Sequence, residues 1–301
     1  MSIIKKLRKR LWIIKAVIES SLSEKQNLIR GFFKRKAYYP TEKVDADIKS
    51  IIYCMLCPNM CRFDCPAVQA SKNESHSPAT KARIAYYLEM NRLEKNEENI
   101  MPIFEGCLHC GGCKIWCPFD LAVGDLLEGV AIDLFRKKST LRDIKQFSER
   151  ISENKGLYPK DKYANSTKIL EQLETGNVYY FPGCVTMGNN PKVISCISKI
   201  ASNANENLIA KPNERVCCGA PTIYSGDKRF AKELAQKNYD HIKNLDVDSI
   251  LCECPECAYT LKEEYKKLGY EFKIPVYHVT EWIAKLVKEN KLKLKKDLSS
   301  T

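Results

Sequence analysis

Hydrophobic residues at the start of the chain recur every three or four positions, which is the spacing of one face of an α-helix. These residues are Ile3, Ile4, Leu7, Leu11, Ile14, Val17 and Ile18, with Trp12 among them and Lys or Arg between them. The pattern predicts a basic amphipathic helix within a region of residues 1–40. One hypothesis is that this helix binds an anionic membrane surface, where apolar burial and basic residues act together. The other is that it docks on the rest of the protein or on a partner subunit.

The middle of the chain has helical periodicity over two stretches. Residues 81–91 predict one helix. The second helix is predicted by an apolar stripe made of Val123, Leu126, Leu127, Val130, Ala131 and Leu134. We assign both to a domain of residues 41–136. Residues 137–176 are charged and interrupted by Gly and Pro, which predicts a helical linker that ends in a turn.

From residue 177 onward, short apolar runs alternate with longer helical ones. Strands are predicted at 178–181 and 249–252, and helices at 191–204, 227–245, 258–268 and 280–287. Asp227 is a favourable N-terminal cap for its helix. Repetition of strand, turn and helix predicts a small α/β domain with a mainly parallel sheet over 177–290, followed by a basic tail at 291–301. The whole chain is thus expected to be an α+β multidomain protein.

Composition narrows the class of protein. The chain has 301 residues, of which 44% are hydrophobic, so it can bury a core and disorder is not expected. No apolar run reaches 18 residues, so neither a membrane span nor export is expected. Residues 1–36 carry nine of the twelve net positive charges, and the nearly neutral body argues against a nucleic-acid partner. Fifteen cysteines in a chain that stays in the reducing cytoplasm favour metal binding over disulfides.

Eight of these cysteines form two groups in the helical domain. Cys107, Cys110, Cys113 and Cys117 precede Pro118 with the C-x2-C-x2-C-x3-C-P spacing of a cubane iron–sulfur site. Cys54, Cys57, Cys61 and Cys65 precede Pro66 in the same way, with one extra residue between the second and third cysteines. The fourth cysteine of each group reaches the other cluster in two-cluster proteins.

We therefore predict two [4Fe-4S] clusters with crossed ligation. One would be held by Cys54, Cys57, Cys61 and Cys117, and the other by Cys107, Cys110, Cys113 and Cys65. The alternatives are two four-cysteine zinc sites, or a three-iron cluster in the group with the extra residue. His109 lies between two predicted ligands, where it would tune the cluster by hydrogen bonding or charge, or else merely pack.

Five further cysteines are spread over the C-terminal half. They are Cys184, Cys217, Cys218, Cys254 and Cys257. An expected strand precedes Cys184, another precedes the adjacent pair Cys217–Cys218, and a third precedes the C-x2-C motif. The carboxyl ends of parallel strands converge on one crevice. This arrangement predicts a metal centre held by five thiolates, against the alternative of zinc or free thiols that only pack. Cys252 could be a spare ligand, but the alternation of side chains at a strand end favours a buried thiol. Cys196 is predicted to lie in the core.

These motifs resemble two known domains. The long helical insertion between the first eight cysteines is similar to the α-helical ferredoxin domain of succinate dehydrogenase iron–sulfur subunits and heterodisulfide reductases. The five-cysteine pattern, with Gly219, Pro221 and Pro255, resembles the CCG domain (the cysteine-rich domain) of the heterodisulfide reductase catalytic subunit. The same domain occurs in the C subunit of anaerobic glycerol-3-phosphate dehydrogenase and in iron–sulfur subunits of lactate and glycolate oxidases. The resemblance implies a non-cubane [4Fe-4S] cluster on the five cysteines.

From this resemblance we expect an iron–sulfur electron-transfer subunit that links a flavoprotein dehydrogenase to a membrane quinone or cytochrome. The alternative is a thiol–disulfide reductase that acts directly at the CCG cluster, with its five cysteines as the catalytic residues. No G-x-G-x-x-G turn is present, so a flavin or nicotinamide would belong to a partner. The family's catalytic subunits carry two CCG domains, so direct cleavage of a disulfide would need a second copy from a homodimer or a partner. The expected location is the cytoplasm, peripheral to the membrane.

Overall fold

A computed structural model describes residues 18–93, 100–137 and 142–294. The predicted amphipathic helix lies, except for its last residue, outside the described residues, as does most of the basic tail. Helix α1 spans Leu22–Phe33 and is followed by a 3-10 turn at Arg35–Tyr38.

The cysteine-containing N-terminal part is helical. Its helices are α2 (Ile48–Leu56), α3 (Pro66–Ser71), α4 (Pro78–Glu89), α5 (Met101–Glu105), α6 (Gly112–Ile115) and α7 (Val123–Arg136). Short 3-10 turns at Met60–Asp64 and Glu74–His76 connect α2, α3 and α4. The predicted helices over 81–91 and 123–134 are confirmed as α4 and α7. Asp47 and Ser77 cap α2 and α4 by accepting backbone N–H groups through their side chains.

Helices α2, α4 and α7 enclose the core of this part. Ile51, Ala82 and Val130 are fully buried at their contact. Asp133 on α7 is also buried, and its carboxylate accepts the backbone N–H groups of Asp45 at 2.8 Å and Ala46 at 3.2 Å. A buried carboxylate with two N–H partners and a neighbouring arginine is satisfied, so it anchors the entering chain on α7.

The C-terminal part is built on a four-stranded sheet whose strands are all parallel. The strands are β1 (Val178–Tyr180), β2 (Leu208–Ile209), β3 (Ser249–Cys252) and β4 (Val276–His278), in the order β2-β1-β3-β4. Buried side chains fill both faces, as expected for a parallel sheet covered by helices. A helical part followed by a small parallel sheet confirms the predicted fold class.

Helices connect and cover these strands. They are α8 (Arg142–Asn154), α9 (Ala164–Leu170), α10 (Cys184–Asn189), α11 (Pro191–Asn203), α12 (Ala220–Tyr224), α13 (Lys228–Ile242), α14 (Pro255–Tyr259), α15 (Tyr265–Lys267) and α16 (Val279–Lys288). Asp227 caps α13 as predicted. Ile151 of α8 and Leu170 of α9 are buried in the hydrophobic cores beside the sheet.

Two local predictions are wrong, and a third is confirmed with a local irregularity. Residues 215–216 form no strand, because the Val216 and Cys217 N–H groups bond to Asn238 Oδ1 and the Lys155 carbonyl instead of to a neighbouring strand. Cys196 is exposed, since α11 turns its Ile194 face inward and residue 196 points away from it. The helix predicted at 258–268 is interrupted by a π-helical turn at Thr260–Glu264.

The two parts are in contact along α7. Gly226, which follows α12, lies so close to α7 that a Cβ atom there would clash with the Ala131 carbonyl oxygen. Asp227, the next residue, accepts a hydrogen bond from Ser148 on α8 at 2.8 Å, which holds this turn within the C-terminal part. Within the described ranges, no helix combines the length and apolar character needed to cross a bilayer.

Candidate iron–sulfur sites

The first site surrounds a cavity of about 560 Å³ beside α2. It is lined by Cys54 near the end of α2, Cys57 just after it, Cys61 in the following 3-10 turn and Cys117 after α6. Burial and, to a smaller extent, the nearby sulfurs of Cys61, Cys113, Cys117 and Cys57 together raise the pKa of the Cys54 thiol to about 12. The structure thus places together the four cysteines predicted for one cluster, including one from the other sequence group.

The second site lies between α3, α4 and the start of α7. Its lining contains Cys107, Cys110, Cys113 and, from the other sequence group, Cys65. The left-handed backbone of Gly111, with φ of +70°, turns the chain between Cys110 and α6. The exchange of Cys65 and Cys117 between the two groups is the crossed arrangement that the sequence predicts. Cys113 contacts both cavities and therefore lies between the two sites.

Lys81 gives an independent indication of what the second site holds. Its side chain is buried, with 1% of the residue exposed, and its ammonium donates to the His76 carbonyl at 2.5 Å. Burial lowers the pKa of Lys81, and the sulfurs of Cys107 and Cys65 oppose that effect. Among the described residues, no carboxylate forms an ion pair with it. A buried cation facing thiols fits an anionic thiolate-bound group.

The third site is a continuous chain of thiols in the parallel-sheet part. In order of contact it runs Cys184, Cys217, Cys218, Cys257 and Cys254. The Sγ atoms of Cys218 and Cys257 are 3.4 Å apart. Hydrogen bonds from the Cys217 and Cys257 thiols lower the pKa of Cys218, and one from Cys257 lowers the pKa of Cys254 to about 7. Hydrogen bonding among the thiols and burial raise the pKa of Cys184, Cys217 and Cys257. Cys218 and Cys254 are therefore the two thiols of this set that are poised to ionise, as a metal ligand must.

Local structure explains how distant cysteines meet here. Cys184 begins α10 directly after β1, and Cys254 caps α14 directly after β3. Because β1 and β3 are adjacent and parallel, their carboxyl ends bring these two cysteines to the same edge of the sheet. The Cys217–Cys218 pair joins them from a loop, not from a strand. Cys252 is fully buried within β3 and takes no part in the chain of thiol contacts, as predicted for a packed thiol.

The loop is held by two buried polar side chains. Asn238 of α13 accepts the Val216 N–H at 3.3 Å and donates to the Cys217 carbonyl at 3.0 Å. The Tyr265 hydroxyl donates to the Cys218 carbonyl at 3.0 Å and accepts a hydrogen bond from Asn238. These bonds fix the backbone of the Cys217–Cys218 pair.

Within the described ranges, no three Cys, His, Asp or Glu side chains converge as a single metal ion requires. In the first site the thiols are instead spread around a cavity. An iron–sulfur cluster would take one thiolate on each of several irons, and its role would be one-electron transfer.

Aromatic contacts join the second and third sites. The His109 ring, located between Cys107 and Cys110, stacks on the Tyr224 ring with centroids 4.3 Å apart. The Tyr224 hydroxyl donates to Glu256, which lies inside the Cys254-x-x-Cys257 turn. Burial lowers the pKa of His109 to about 4, so its imidazole is neutral in this contact. A cavity of about 330 Å³ opens beside the stacked pair.

Several of these residues were missed by sequence reasoning. Glu256 could have been noticed, since it lies inside a C-x2-C motif. Tyr224 and Asn238 could not have been noticed, because they lie 6 and 20 residues beyond the Cys217–Cys218 pair. They reach the cysteine sites only through the packing of helices α12 and α13. Arg215 was not singled out, because nothing in the sequence around it indicates that its side chain is buried.

Comparison with known proteins agrees with this geometry. Residues 50–121 match the family model for a 4Fe-4S dicluster domain, and residues 178–262 match that for the cysteine-rich domain, CCG. The chain therefore combines a ferredoxin-type dicluster domain with a CCG domain, which confirms the resemblance found in the sequence. We call these the dicluster domain and the CCG domain.

Several of the relatives are named as components of redox enzymes. The D subunit of dihydromethanophenazine:CoB–CoM heterodisulfide reductase from Methanosarcina acetivorans is 24% identical over 76% of this chain and 57% of its own length. The B subunit of fumarate reductase (CoM/CoB) from Methanothermobacter marburgensis is 24% identical over 82% and 50%, respectively. A probable glycolate oxidase iron–sulfur subunit from Bacillus subtilis is 23% identical over 72% and 60%. The chain spans about half the length of the first relatives it matches. No solved structure matches it.

Proposed function

We propose that this chain relays electrons within an oxidoreductase complex, through two cubane [4Fe-4S] clusters and one non-cubane [4Fe-4S] cluster. The relay would link a flavin-dependent dehydrogenase to a quinone or membrane cytochrome. The relatives support the general class of iron–sulfur subunits of oxidoreductases, since they are named as subunits of a heterodisulfide reductase, a fumarate reductase and a probable glycolate oxidase.

The contact between His109 and Tyr224 carries the proposal. It bridges the dicluster domain and the CCG domain beside a cavity whose lining includes Cys107 of one domain and Glu256 of the other. The hydrogen bond from Tyr224 to Glu256 continues the bridge into the C-x2-C turn. A contact that runs from a dicluster motif to the C-x2-C turn is what electron transfer between the two domains would use.

The first test is iron and acid-labile sulfide on anaerobically purified protein. About twelve irons per chain are expected for three four-iron clusters. About eight would leave the CCG domain without iron and would contradict the three-centre relay.

The second test addresses the bridge. The protein would be reduced with limiting dithionite, and the appearance of the reduced CCG signal would be followed by freeze-quench EPR. Tyr224→Leu should slow that appearance at unchanged iron content, whereas Tyr224→Phe retains the stack and loses only the bond to Glu256. Tyr239→Leu is the matched control, because Tyr239 contacts the Tyr270 and Phe272 rings in the same domain, away from the bridge. Equal rates in Tyr224→Leu and Tyr239→Leu would refute the role of the bridge.

A second candidate function is thiol–disulfide reduction directly at the CCG domain. The interdomain cavity favours it, because its volume lies at the lower end of the range for small-molecule sites and its lining includes Glu256 of the C-x2-C turn. A new EPR signal of the CCG centre on addition of a thiol or disulfide would support this function. An unchanged spectrum would leave the relay as the better account.

The basic N-terminal segment belongs to the same proposal as a peripheral anchor on the cytoplasmic membrane face. Eleven Lys or Arg in residues 1–36 favour an anionic surface. Deleting residues 1–20 should abolish sedimentation with anionic vesicles at low salt. Sedimentation that survives the deletion would assign the segment to protein packing.

A further inference from the structure

Arg215 is a buried arginine beside the cysteines of the CCG domain. Only 4% of the residue is exposed. Its Nη1 donates to the Cys184 Sγ at 3.8 Å and to the Val216 carbonyl at 3.3 Å, and its Nη2 approaches the Met187 Sδ at 3.1 Å. The guanidinium also lies over the Phe181 ring, 5.6 Å from its centroid.

What the guanidinium lacks is a negative partner. Among the described residues, no carboxylate lies within ion-pair distance of Arg215. Its Nε atom is buried and has no hydrogen-bond partner. An arginine keeps its charge at any ordinary pH, and burying an unpaired charge is strongly unfavourable. The surroundings must therefore contain a compensating negative charge when the protein is complete.

The thiols are the groups able to supply that charge. Cys184 contacts the guanidinium directly, and the remaining four follow it in the continuous chain of thiol contacts. A centre ligated by five thiolates carries a net negative charge that becomes larger by one on reduction. A fixed cation a few ångströms away stabilises the more negative state of such a centre, and N–H groups directed at the sulfurs act in the same sense.

We propose that Arg215 is the charge-compensating residue of the CCG centre and raises its reduction potential. This inference rests on the proposed iron–sulfur centre in the CCG domain. It makes Arg215 the residue that stabilises the CCG centre in its reduced form and so favours electron flow into that domain across the bridge.

The expected size follows from ordinary charge pairs. An opposite charge within about 4–6 Å shifts a protonation equilibrium by ~10- to 1,000-fold. A one-electron reduction in the same surroundings should respond in the same range, and each tenfold change corresponds to about 59 mV. Arg215→Met removes the charge at similar volume, so its CCG centre should show at least a tenfold lower ratio of reduced to oxidised form, a downward shift of ~59 mV or more.

The test is a redox titration followed by EPR on the full chain, with iron content measured in parallel. Arg215→Lys retains the charge and should recover most of the potential. Arg229→Met is the matched control, because Arg229 lies exposed on α13 in the same domain. The CCG centre of that variant should have the same reduction potential as in the unaltered protein. Loss of iron from Arg215→Met with retention in Arg215→Lys would also support the proposal, since the charge would then be required for assembly.

Three outcomes would overturn it or its basis. An iron-loaded Arg215→Met with an unshifted potential would show that the charge does not act on the centre. Equal loss of iron from the Met and Lys variants would mean that only the shape of the side chain matters. If Cys217→Ser removes no iron from otherwise unaltered protein, the iron–sulfur centre itself is absent, and the proposed function fails before the inference about Arg215 is reached.

Discussion

The backbone of the adjacent cysteine pair depends on one amide side chain. Asn238 is 1% exposed and bonds to Val216 N–H, to the Cys217 carbonyl and to the Tyr265 hydroxyl. Asn238→Leu replaces the amide with an apolar side chain of similar size, so it removes these bonds without opening a large cavity. The Val216 N–H and the Cys217 carbonyl then remain buried without the partner they had.

The energetic cost can be worked out from those two groups. A buried donor or acceptor that loses its partner costs ~1–3 kcal/mol, so the loss of partners for two groups should lower the free energy of unfolding by about 2–6 kcal/mol. That is a large part of the ~5–15 kcal/mol that stabilises an ordinary domain. Tyr265→Phe removes only the bond to the Cys218 carbonyl and the acceptor for Asn238, and it should cost less.

Urea unfolding of the metal-free chain under reducing conditions measures this cost. Fluorescence of Trp282 reports on the CCG domain, because Trp282 is buried beside the sheet. The midpoint should fall at constant slope, which marks a change in stability and not in the area exposed. Asn244→Leu is the control, since Asn244 is exposed and donates only to the Asp240 carbonyl. A midpoint for Asn238→Leu equal to that of Asn244→Leu would refute the reasoning.

Three further predictions concern other parts of the molecule. Cys217→Ser should remove the iron of the CCG domain and leave the iron and EPR signals of the dicluster domain. Gly226→Ala should destabilise the protein by ~1–2 kcal/mol from its left-handed backbone alone, with φ of +85°, and by more from the clash with Ala131. Burial lowers the pKa of His241 below its ordinary 6.5 despite Glu214 nearby, so the unfolded chain binds the proton more readily. Stability should therefore fall as the pH drops through 6.5 toward the lower folded pKa, and His241→Asn should reduce that dependence.

Each of these has a contradicting result. Unchanged total iron in Cys217→Ser would remove the basis for a centre on the five cysteines. Thermal unfolding of Gly226→Ala at the temperature of the unaltered protein would mean that the loop after α12 can move away from α7. A pH dependence of unfolding that is the same with and without His241 would show that other groups cause it.

Much of the site could be predicted because its information is local in the sequence. The spacing within Cys107–Cys117 and within Cys54–Cys65 allows the first three thiolates of each group to surround one cluster. The Cys-Pro ending of each group indicates that its fourth cysteine binds the other cluster. The parallel sheet followed from short apolar runs alternating with helices. These features depend on spacing and periodicity, which the chain carries without reference to its tertiary structure.

What the tertiary structure decided is which distant groups meet. The sequence placed Cys217 and Cys218 at a strand end, yet a loop bonded to Asn238 presents them, because a side chain 20 residues away satisfies the backbone that a strand would have paired. Arg215 gave no sign in the sequence of being unpaired, since burial and the absence of a nearby carboxylate among the described residues are properties of the packed chain. The bridge from His109 to Tyr224 arises only where the two domains meet along α7, and contacts between domains have no fixed spacing in the sequence.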